Sequence, residues 1–260
     1  MKGRMLTMLE PMALAYVNLY GVLGTLEDLC RIDDEAKQIL AGLKKPVSLC
    51  FSIKNGPCRT FHFSREGCRV TEGDGGGCKM TFSSPEAFNA LIDSSKPGLP
   101  VRRPLKLILF LTGPFTALTD RLTRLLRASQ EDLADRAFFE ESTLLTLYTV
   151  GGAVCALANS DSISKISASY TPDGSVNLGI KNCVTVSVQV KDHHFTFCRQ
   201  PAESPRASME FADIDLANGL FAGTVSTINE MCKGTIRIAG MISMIDNINR
   251  ILDRVSVYLG

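Results

Sequence analysis

The hydrophobic period of the chain changes abruptly near its C-terminal end. Segment 235–239 alternates apolar and polar positions, which predicts a β-strand. From Met241 onward the apolar side chains recur every three or four residues with polar side chains between them, which predicts an amphipathic helix. These apolar positions are Met241, Met244, Ile245, Ile248, Ile251, Leu252 and Val255. The pattern therefore predicts a strand that leads directly into a helix covering one face of a sheet.

A similar plan is found earlier in the chain. Segment 105–111 is apolar except for Lys106, and Pro114 precedes apolar positions at helical spacing. We therefore expect a strand over 105–111 and a helix that Pro114 opens. The apolar positions of this helix are Phe115, Leu118, Leu122, Leu125 and Leu126.

Pairs of similar residues recur at a nearly constant distance, which indicates an internal duplication. Asp33 recurs as Asp161 after 128 residues, and Leu91 recurs as Leu220 after 129 residues. Further pairs are Leu19 and Leu147, Val47 and Val176, Met80 and Met209, Phe82 and Phe211, and Arg121 and Arg250. The duplication predicts a first domain over 1–127, a helical linker over 128–142 and a second domain over 143–260.

Each copy has the same predicted order of elements. A leading helix is followed by alternating runs that predict strands, with Asn-Gly or Asp-Gly turns at 55–56 and 173–174. Ser84 and Asp213 occupy equivalent positions before short apolar runs and are predicted to cap helices. The order of helix, strands, helix, strand and helix predicts an α+β fold, in which helices cover a mostly antiparallel sheet.

Four of these features together resemble the sterol carrier protein type 2 family, in both halves of the chain. They are the strand pairs with their Asn-Gly or Asp-Gly turns, segment 209–223 (MEFADIDLANGLFAG), segment 233–240 (KGTIRIAG), and the apolar helix that follows. The resemblance covers nearly the whole chain. The first copy departs from it at 104–110, where the glycines of the second copy are absent.

The resemblance implies two tandem domains, each with a hydrophobic tunnel between its sheet and its last helix. It implies non-enzymatic binding and carriage of an apolar small molecule, such as a fatty acyl chain, a sterol or another lipid, without a cofactor. In the second domain the implied lining residues are Phe211, Leu216, Leu220, Phe221, Ile236, Ile238, Met241, Met244, Ile245 and Ile248. In the first domain they are Phe82, Leu91, Phe115 and Leu118.

The amino-acid composition restricts the cellular compartment and the binding partners that we expect for the protein. The 28 basic and 27 acidic residues leave a net charge of +1, which gives no bias toward nucleic acid or an anionic membrane. Nine cysteines without a CxxC pair favour a reducing, cytoplasmic compartment. The longest apolar runs are shorter than the roughly 20 residues of a spanning helix, so we expect no stable membrane insertion.

Two clusters suggest chemistry, and a simpler interpretation is favoured for each. Asp192, His193, His194 and Cys198 form the strongest catalytic or metal-like cluster, but adjacent strand residues point to opposite faces, so a hairpin turn is favoured. The glycine-rich segment 73–77 precedes a predicted strand and not a helix, which favours a loop over a phosphate cradle. We therefore expect no catalytic or metal-binding residues.

Two alternatives to carriage remain open on the sequence. Apolar stripes at helical spacing are typical of core packing, so the two domains could serve as a pseudo-dimer interaction module. The protein would then be a scaffold or accessory protein of a lipid- or quinone-related enzyme, which would be its partner. An enzyme that uses His193, His194 or Cys198 is the least favoured alternative.

Overall fold

The computed structural model describes residues 9–93 and 105–259. The chain divides into two compact units, Glu10–Leu145 and Thr146–Gly260, which we call the first and the second unit. Each unit combines one mixed sheet with helices, so the predicted α+β class is confirmed. The second unit begins three residues after the predicted start of the second domain, and the predicted linker 128–142 groups with the first unit.

The first unit opens with a run of helical segments and continues into four strands. Its helical segments are α1 (Pro11–Tyr16), a π-helical turn (Val17–Val22), a 3-10 turn (Leu23–Thr25), α2 (Leu26–Ile32) and α3 (Asp34–Ala41). The strands are β1 (Val47–Ile53), β2 (Cys58–Ser64), β3 (Gly67–Glu72) and β4 (Cys78–Phe82). There follow α4 (Pro85–Ile92), α5 (Leu105–Phe110), a π-helical turn (Leu111–Phe115), α6 (Thr116–Leu126) and a 3-10 turn (Asp132–Ala134).

Helix α7 (Arg136–Ser160) contains the boundary between the two units, and the second unit continues after it. The next elements are α8 (Ser164–Ser169), β5 (Gly174–Ile180), β6 (Val184–Lys191), β7 (His194–Cys198) and β8 (Ala207–Phe211). The unit ends with α9 (Ile214–Phe221), α10 (Thr227–Lys233), β9 (Ile236–Gly240) and α11 (Ile242–Leu259).

The two sheets share one strand order. In the first unit the order is β3-β2-β1-β4, and in the second it is β7-β6-β5-β8-β9. The pairs β1–β4 and β5–β8 are parallel, and all other pairs are antiparallel. Ser84 and Asp213 cap the helices α4 and α9, as predicted, by accepting hydrogen bonds from the backbone amides of Ala87 and Leu216.

The prediction of a strand over 105–111 is wrong, because this segment is helical. The physical reason lies in the period of its buried positions. Leu107, Phe110 and Leu111 are buried, whereas Ile108 and Leu109 are exposed, and a spacing of three and four residues is that of a helix. Pro114 likewise lies within a π-helical turn and does not open the helix. The described part of the first sheet therefore has no counterpart of β9.

Helix α7 has 25 residues, which is more than the longest apolar runs in the sequence. By length and composition, with a mean hydropathy of 1.3, it is the one helix in the described part of the chain that could cross a membrane. However, 78% of its most apolar window is buried by the protein itself. Such burial is typical of the core helix of a folded protein.

A buried ion pair ties the closing helix of each unit to the start of a short helix. In the second unit Asp161 caps α8 by accepting from the Ser164 amide, and it also binds Arg254 of α11. In the first unit Asp33 caps α3 by accepting from the Ala36 amide, and it also binds Arg121 of α6. The two aspartates are the pair that the duplication matches.

Candidate ligand-binding site

The inner face of the second sheet carries the first group of predicted lining residues. Phe211 of β8 lies opposite Ile236 of β9, and Met209 lies opposite Ile238 in the same antiparallel ladder. Directly opposed residues point to the same face of a sheet, so these four apolar side chains form one surface. Phe211 and Ile236 are buried, and Ile238 is half-buried.

The closing helix α11 supplies the second group. Its side chains at Met244, Ile245 and Ile248 are buried, and the helix packs against β8. The buried positions continue along the helix at Ile251, Val255 and Tyr258. The three- and four-residue spacing seen in the sequence therefore reports the face that α11 turns toward the protein.

Helix α9 supplies the third group, and its side chains are less well covered. Leu216, Leu220 and Phe221 are each half-buried, and α9 packs against β8. The ring of Phe221 meets that of Phe211 edge to face, with centroids 6.3 Å apart. This contact places α9 beside the inner face of the second sheet.

The junction of β9 and α11 exposes apolar side chains. Met241 is 37% exposed and Ile242 is 68% exposed, directly after the last strand residue, Gly240. Gly240 has φ +80°, and a Cβ atom there would collide with the backbone of Arg206 and Ala207. A glycine is therefore required for β9 to turn into α11 so close to β8. Met241 and Ile242 follow this turn with little cover.

Helix α10 fixes the start of β9 through a small polar network. Glu230 accepts hydrogen bonds from Lys233 and from the hydroxyl of Thr235, at 2.6 and 2.7 Å. These hydrogen bonds hold the pKa of the Glu230 carboxyl below its usual value. On the solvent side of α10, Ile228 is 73% exposed and Met231 is 44% exposed.

In the first unit the corresponding layer is occupied by aromatic rings. Phe115, a predicted lining residue, contacts Phe51, Phe63 and Phe110 with centroids 6.1, 6.0 and 6.3 Å apart. Phe82, another predicted lining residue, contacts Phe51 and also Phe88. Leu118 is fully buried and Leu91 is half-buried in the same cluster. These side chains thus pack into a ring-rich core.

The sequence interpretation missed the central part of this ring cluster. Phe51, Phe61, Phe63 and Phe88 are all buried and lie at its centre. Their alternation in β1 and β2 predicted an inward face, but a pattern of single residues cannot show that rings from strands and helices meet. Among the described residues of the second unit, the ring–ring contacts are Tyr148–Phe197 and Phe211–Phe221.

The histidine cluster lies at a hairpin turn, as the favoured interpretation predicted. Asp192 and His193 have φ +50° and +60°, and His194 begins β7. The turn borders a pocket of about 260 Å³ that is lined by Ala158, Asn159, Lys165, Ala168, Ser169, Asp192, His193 and His194. Within residues 9–93 and 105–259, no three metal-ligating side chains converge.

A second concave site lies between α8 and α11. It measures about 410 Å³ and is lined by Ile163, Ser164, Ile166, Ser167, Arg250, Asp253, Arg254 and Val257. Neither this groove nor the pocket at the hairpin is lined by the predicted tunnel residues. The tunnel itself stays a prediction.

The glycine-rich segment 73–77 is a loop that folds over the outer face of the first sheet. Thr60 donates to the carbonyl oxygen of Gly73 and accepts from the Gly75 amide, both at 2.8 Å. On the same face His62 lies 2.9 Å from the hydroxyls of Ser48 and Thr71. The sequence favoured a loop over a phosphate cradle for this segment.

Comparisons with known proteins add information at the level of the fold. No family model matches the chain, and no curated protein matches it. Among solved structures, the UbiJ-SCP2 ubiquinone synthesis protein is 11% identical, with a TM-score of 0.32, over 43% of this chain and 95% of that one. A sterol carrier protein 2 structure is 16% identical, with a TM-score of 0.32, over 42% of this chain and 92% of that one.

A third solved structure is the sterol carrier protein 2 like 2 of Aedes aegypti. It is 13% identical, with a TM-score of 0.29, over 40% of this chain and 94% of that one. All three of these structures carry sterol carrier protein 2 in their names, which is the family that the sequence resembles. What this chain binds has to follow from its own residues.

Proposed function

We propose that the second unit binds and carries an apolar small molecule with an acyl chain, and that the first unit is a structural domain. The ligand would lie between α9, the start of α11 and the inner face of β8 and β9. One observation supports the proposal above all. Half-buried Phe221 lies at the Phe211 end of the β8–β9 ladder, and the exposed Met241 and Ile242 follow Gly240 at the Ala207 end, so apolar surface is left open to solvent at both ends.

The side chains of this region suit an apolar ligand. Methionine is unbranched and polarizable, so Met241 and Met244 can adapt to the irregular shape of an alkyl chain. Half-buried leucines and a phenylalanine on α9 provide further apolar contact. An exposed apolar surface of this kind on a folded protein commonly marks a binding site.

The affinity that such a site can reach follows from transfer free energies. A buried methylene contributes ~0.8 kcal/mol, so a sixteen-carbon chain contributes on the order of 12 kcal/mol before costs. Association costs at least ~4 kcal/mol. The remainder, at most about 8 kcal/mol, corresponds at best to a dissociation constant of about 1 μM. A charged anchor is therefore not required.

Displacement of a fluorescent fatty acid from the full chain by an unlabelled one tests the proposal. The Met241→Asp variant places a carboxylate at an exposed position of the site, which lets the fold persist but opposes an alkyl chain. We expect its affinity to fall about tenfold or more, which is a loss of at least ~1.4 kcal/mol. No uptake of fatty acid by the unmodified chain would overturn the proposal.

Leu109→Asp is the matched control. Leu109 is an apolar residue of the first unit that is 61% exposed, so the substitution adds the same charge at another solvent-exposed apolar position. The proposal predicts that this variant keeps the affinity of the unmodified chain. Equal losses in both variants would contradict the assignment of the ligand to the second unit.

The alternative function is that of a scaffold or accessory protein for an enzyme of lipid or quinone metabolism. It is supported by the ring-rich core of the first unit and by the exposed Ile228 and Met231 on α10. Recovery of such an enzyme with the full chain, but not with the Ile228→Asp variant, would support it. Carriage requires that the chain binds a fatty acid, whereas the scaffold role does not.

A further inference from the structure

Two cysteine sulfurs lie close together on the outer face of the first sheet. Cys50 of β1 lies opposite Thr60 of β2, and Cys58 lies opposite Ser52, so the two cysteines are diagonal neighbours on adjacent antiparallel strands. Their Sγ atoms are 3.6 Å apart. The core face of β1 carries Leu49 and Phe51, so the cysteines point away from the ring-rich core.

The two thiols differ in exposure. Cys50 is fully buried, while Cys58 is half-buried at the first residue of β2. Cys50 and Cys58 are both reduced thiols. A small oxidant therefore reaches Cys58 more readily, and Cys50 is held beside it out of solvent.

The neighbourhood of the pair favours the same division of roles. Burial is the main cause that raises the pKa of the Cys50 thiol, which makes Cys50 a poor first nucleophile toward a peroxide. Lys79 of β4 lies opposite Cys50 in the parallel ladder, and its ammonium group bonds Asp74 at 3.1 Å. The ion pair places a cation and a carboxylate together near the sulfurs, and the charge of Asp74 adds to the rise in the pKa of the Cys50 thiol.

We propose that Cys50 and Cys58 form a reversible disulfide when a hydroperoxide oxidises Cys58. The Cys58 sulfur attacks the peroxide, which forms a sulfenic acid and releases one water, or an alcohol from an organic hydroperoxide. The Cys50 sulfur then displaces the hydroxyl group, which forms the S–S bond and releases one water. The two thiols lose two electrons and two protons, and the peroxide accepts them.

Formation of this bond requires the two strands to shift, because diagonal neighbours on adjacent strands stand roughly 7–8 Å apart between their Cα atoms and disulfide-linked Cα atoms stand about 4.4–6.8 Å apart. A disulfide is about 2.05 Å long, so the sulfurs must approach by about 1.5 Å. Cys58 directly follows the turn at 54–57, where the strand can shift more easily than in the middle of the ladder. The bond would covalently join β1 to β2 at this turn.

The second unit provides an internal comparison. Asn177 lies opposite Ser187 in β5 and β6, which is the register position that Cys50 and Thr60 occupy in the first unit. Cys183 lies just before β6 and is exposed. The second unit thus has an accessible thiol without a second thiol at the position equivalent to Cys50.

Disulfide mapping of the full chain tests the proposal. The reduced protein is treated with hydrogen peroxide, the remaining thiols are blocked, and peptides are identified by mass spectrometry without reduction. We expect the Cys50–Cys58 cross-link to be the predominant disulfide and to disappear on treatment with a thiol reductant. If peroxide leaves both residues as free thiols, or links Cys58 mainly to another cysteine, the proposal is wrong.

Three serine variants separate the roles of the thiols. Cys50→Ser should leave Cys58 as a sulfenic acid that a dimedone-type probe traps, and Cys183→Ser should leave the cross-link unchanged. Cys58→Ser should abolish the cross-link and leave Cys50 reduced. If Cys50→Ser fails to fold, the Cys58→Ser variant tests the order of attack on its own. Oxidation of Cys50 in that variant at the rate seen in the unmodified chain would contradict the proposal that Cys58 reacts first.

Discussion

Arg254 donates to Asp161 inside the second unit, with 3.0 Å between Nη2 and Oδ1. The Arg254 side chain is 7% exposed and that of Asp161 is fully buried, and Tyr258 donates to the same oxygen at 2.7 Å. Asp161 also caps α8. One carboxylate therefore joins the end of α7, the start of α8 and the closing helix α11.

Arg254→Leu should destabilise the second unit by about 3 kcal/mol, because it leaves a buried carboxylate without its cation. Tyr258 and Ser164 still donate to Asp161 in this variant, which places the loss at the lower end of the expected range. The free energy of unfolding, measured in urea, checks the value. Arg121→Leu should have a similar effect in the first unit, where Arg121 binds Asp33.

The control is Arg250→Leu, one helical turn earlier. Arg250 binds Asp246 at 3.0 Å, but both side chains are more than half exposed, and exposed pairs contribute less than ~0.5 kcal/mol. The duplication in the sequence matches Arg121 with Arg250 and not with Arg254. Equal losses of unfolding free energy in Arg250→Leu and Arg254→Leu would contradict the assignment of the stabilising ion pair to Arg254.

The Asp161 carboxylate should make the stability of the second unit depend on pH. Burial alone would raise the pKa of Asp161, but hydrogen bonds from Arg254, Tyr258 and Ser164 outweigh it and hold the pKa below its usual value. A depressed pKa stabilises the folded state above the unfolded pKa of about 3.9, and this stabilisation is lost as the pH falls through the folded pKa.

The comparison of unmodified protein with Asp161→Asn measures this contribution. The difference between their free energies of unfolding should be largest near pH 7 and should shrink below about pH 4. Urea unfolding at several pH values gives the difference directly. A difference that is the same at about pH 3 and about pH 7 would mean that the ionised carboxylate does not stabilise the unit.

The substitution Gly151→Ala in α7 should lower the stability of the protein, although helix propensity alone favours the alanine. Replacing a helical glycine by alanine usually stabilises a helix by up to ~1 kcal/mol. A Cβ atom on Gly151, however, would collide with the ring of Phe197, which itself packs edge to face on Tyr148. We expect Gly151→Ala to lower the thermal midpoint of unfolding.

Gly113→Ala is the matched substitution in the first unit. Gly113 lies in the π-helical turn, and a Cβ atom there meets no atom within 4 Å. This variant should keep or raise the thermal midpoint. If Gly151→Ala is as stable as Gly113→Ala, the contact with Phe197 does not restrict residue size at position 151.

Local patterns in the sequence predicted much of the fold. The alternation in β1, β2, β5 and β6, the caps at Ser84 and Asp213, and the stripe on α11 are properties of short segments, so the sequence reveals them. The repeat also identified Asp33 and Asp161 before their shared role was known. The strands, the caps and the helical stripe depend on neighbours within a few positions of each other, whereas the match of Asp33 with Asp161 depends on the repeat.

Features that depend on distant contacts were not predicted. Segment 105–111 is apolar enough for a strand, and only the burial of Leu107, Phe110 and Leu111 shows its helical period. Because this segment is helical in the first unit and β9 is a strand in the second, a constant shift no longer aligns the closing helices. This explains why Arg254, and not Arg250, occupies the place of Arg121.

The candidate site was predicted in part. The buried face of Met244, Ile245 and Ile248 follows from helical spacing. That Phe51, Phe63 and Phe110 pack around Phe115 in the first unit depends on four different segments meeting in space. The proposed difference between a binding second unit and a structural first unit therefore needs the structure.

Native mass spectrometry of the full chain, titrated with a sixteen-carbon fatty acid, tests the central claim most directly. Because the binding site is assigned to the second unit alone, the account predicts one bound fatty acid per chain, with the bound form reduced in Met241→Asp and unchanged in Leu109→Asp. No bound fatty acid, or two equivalent ones per chain, would contradict it.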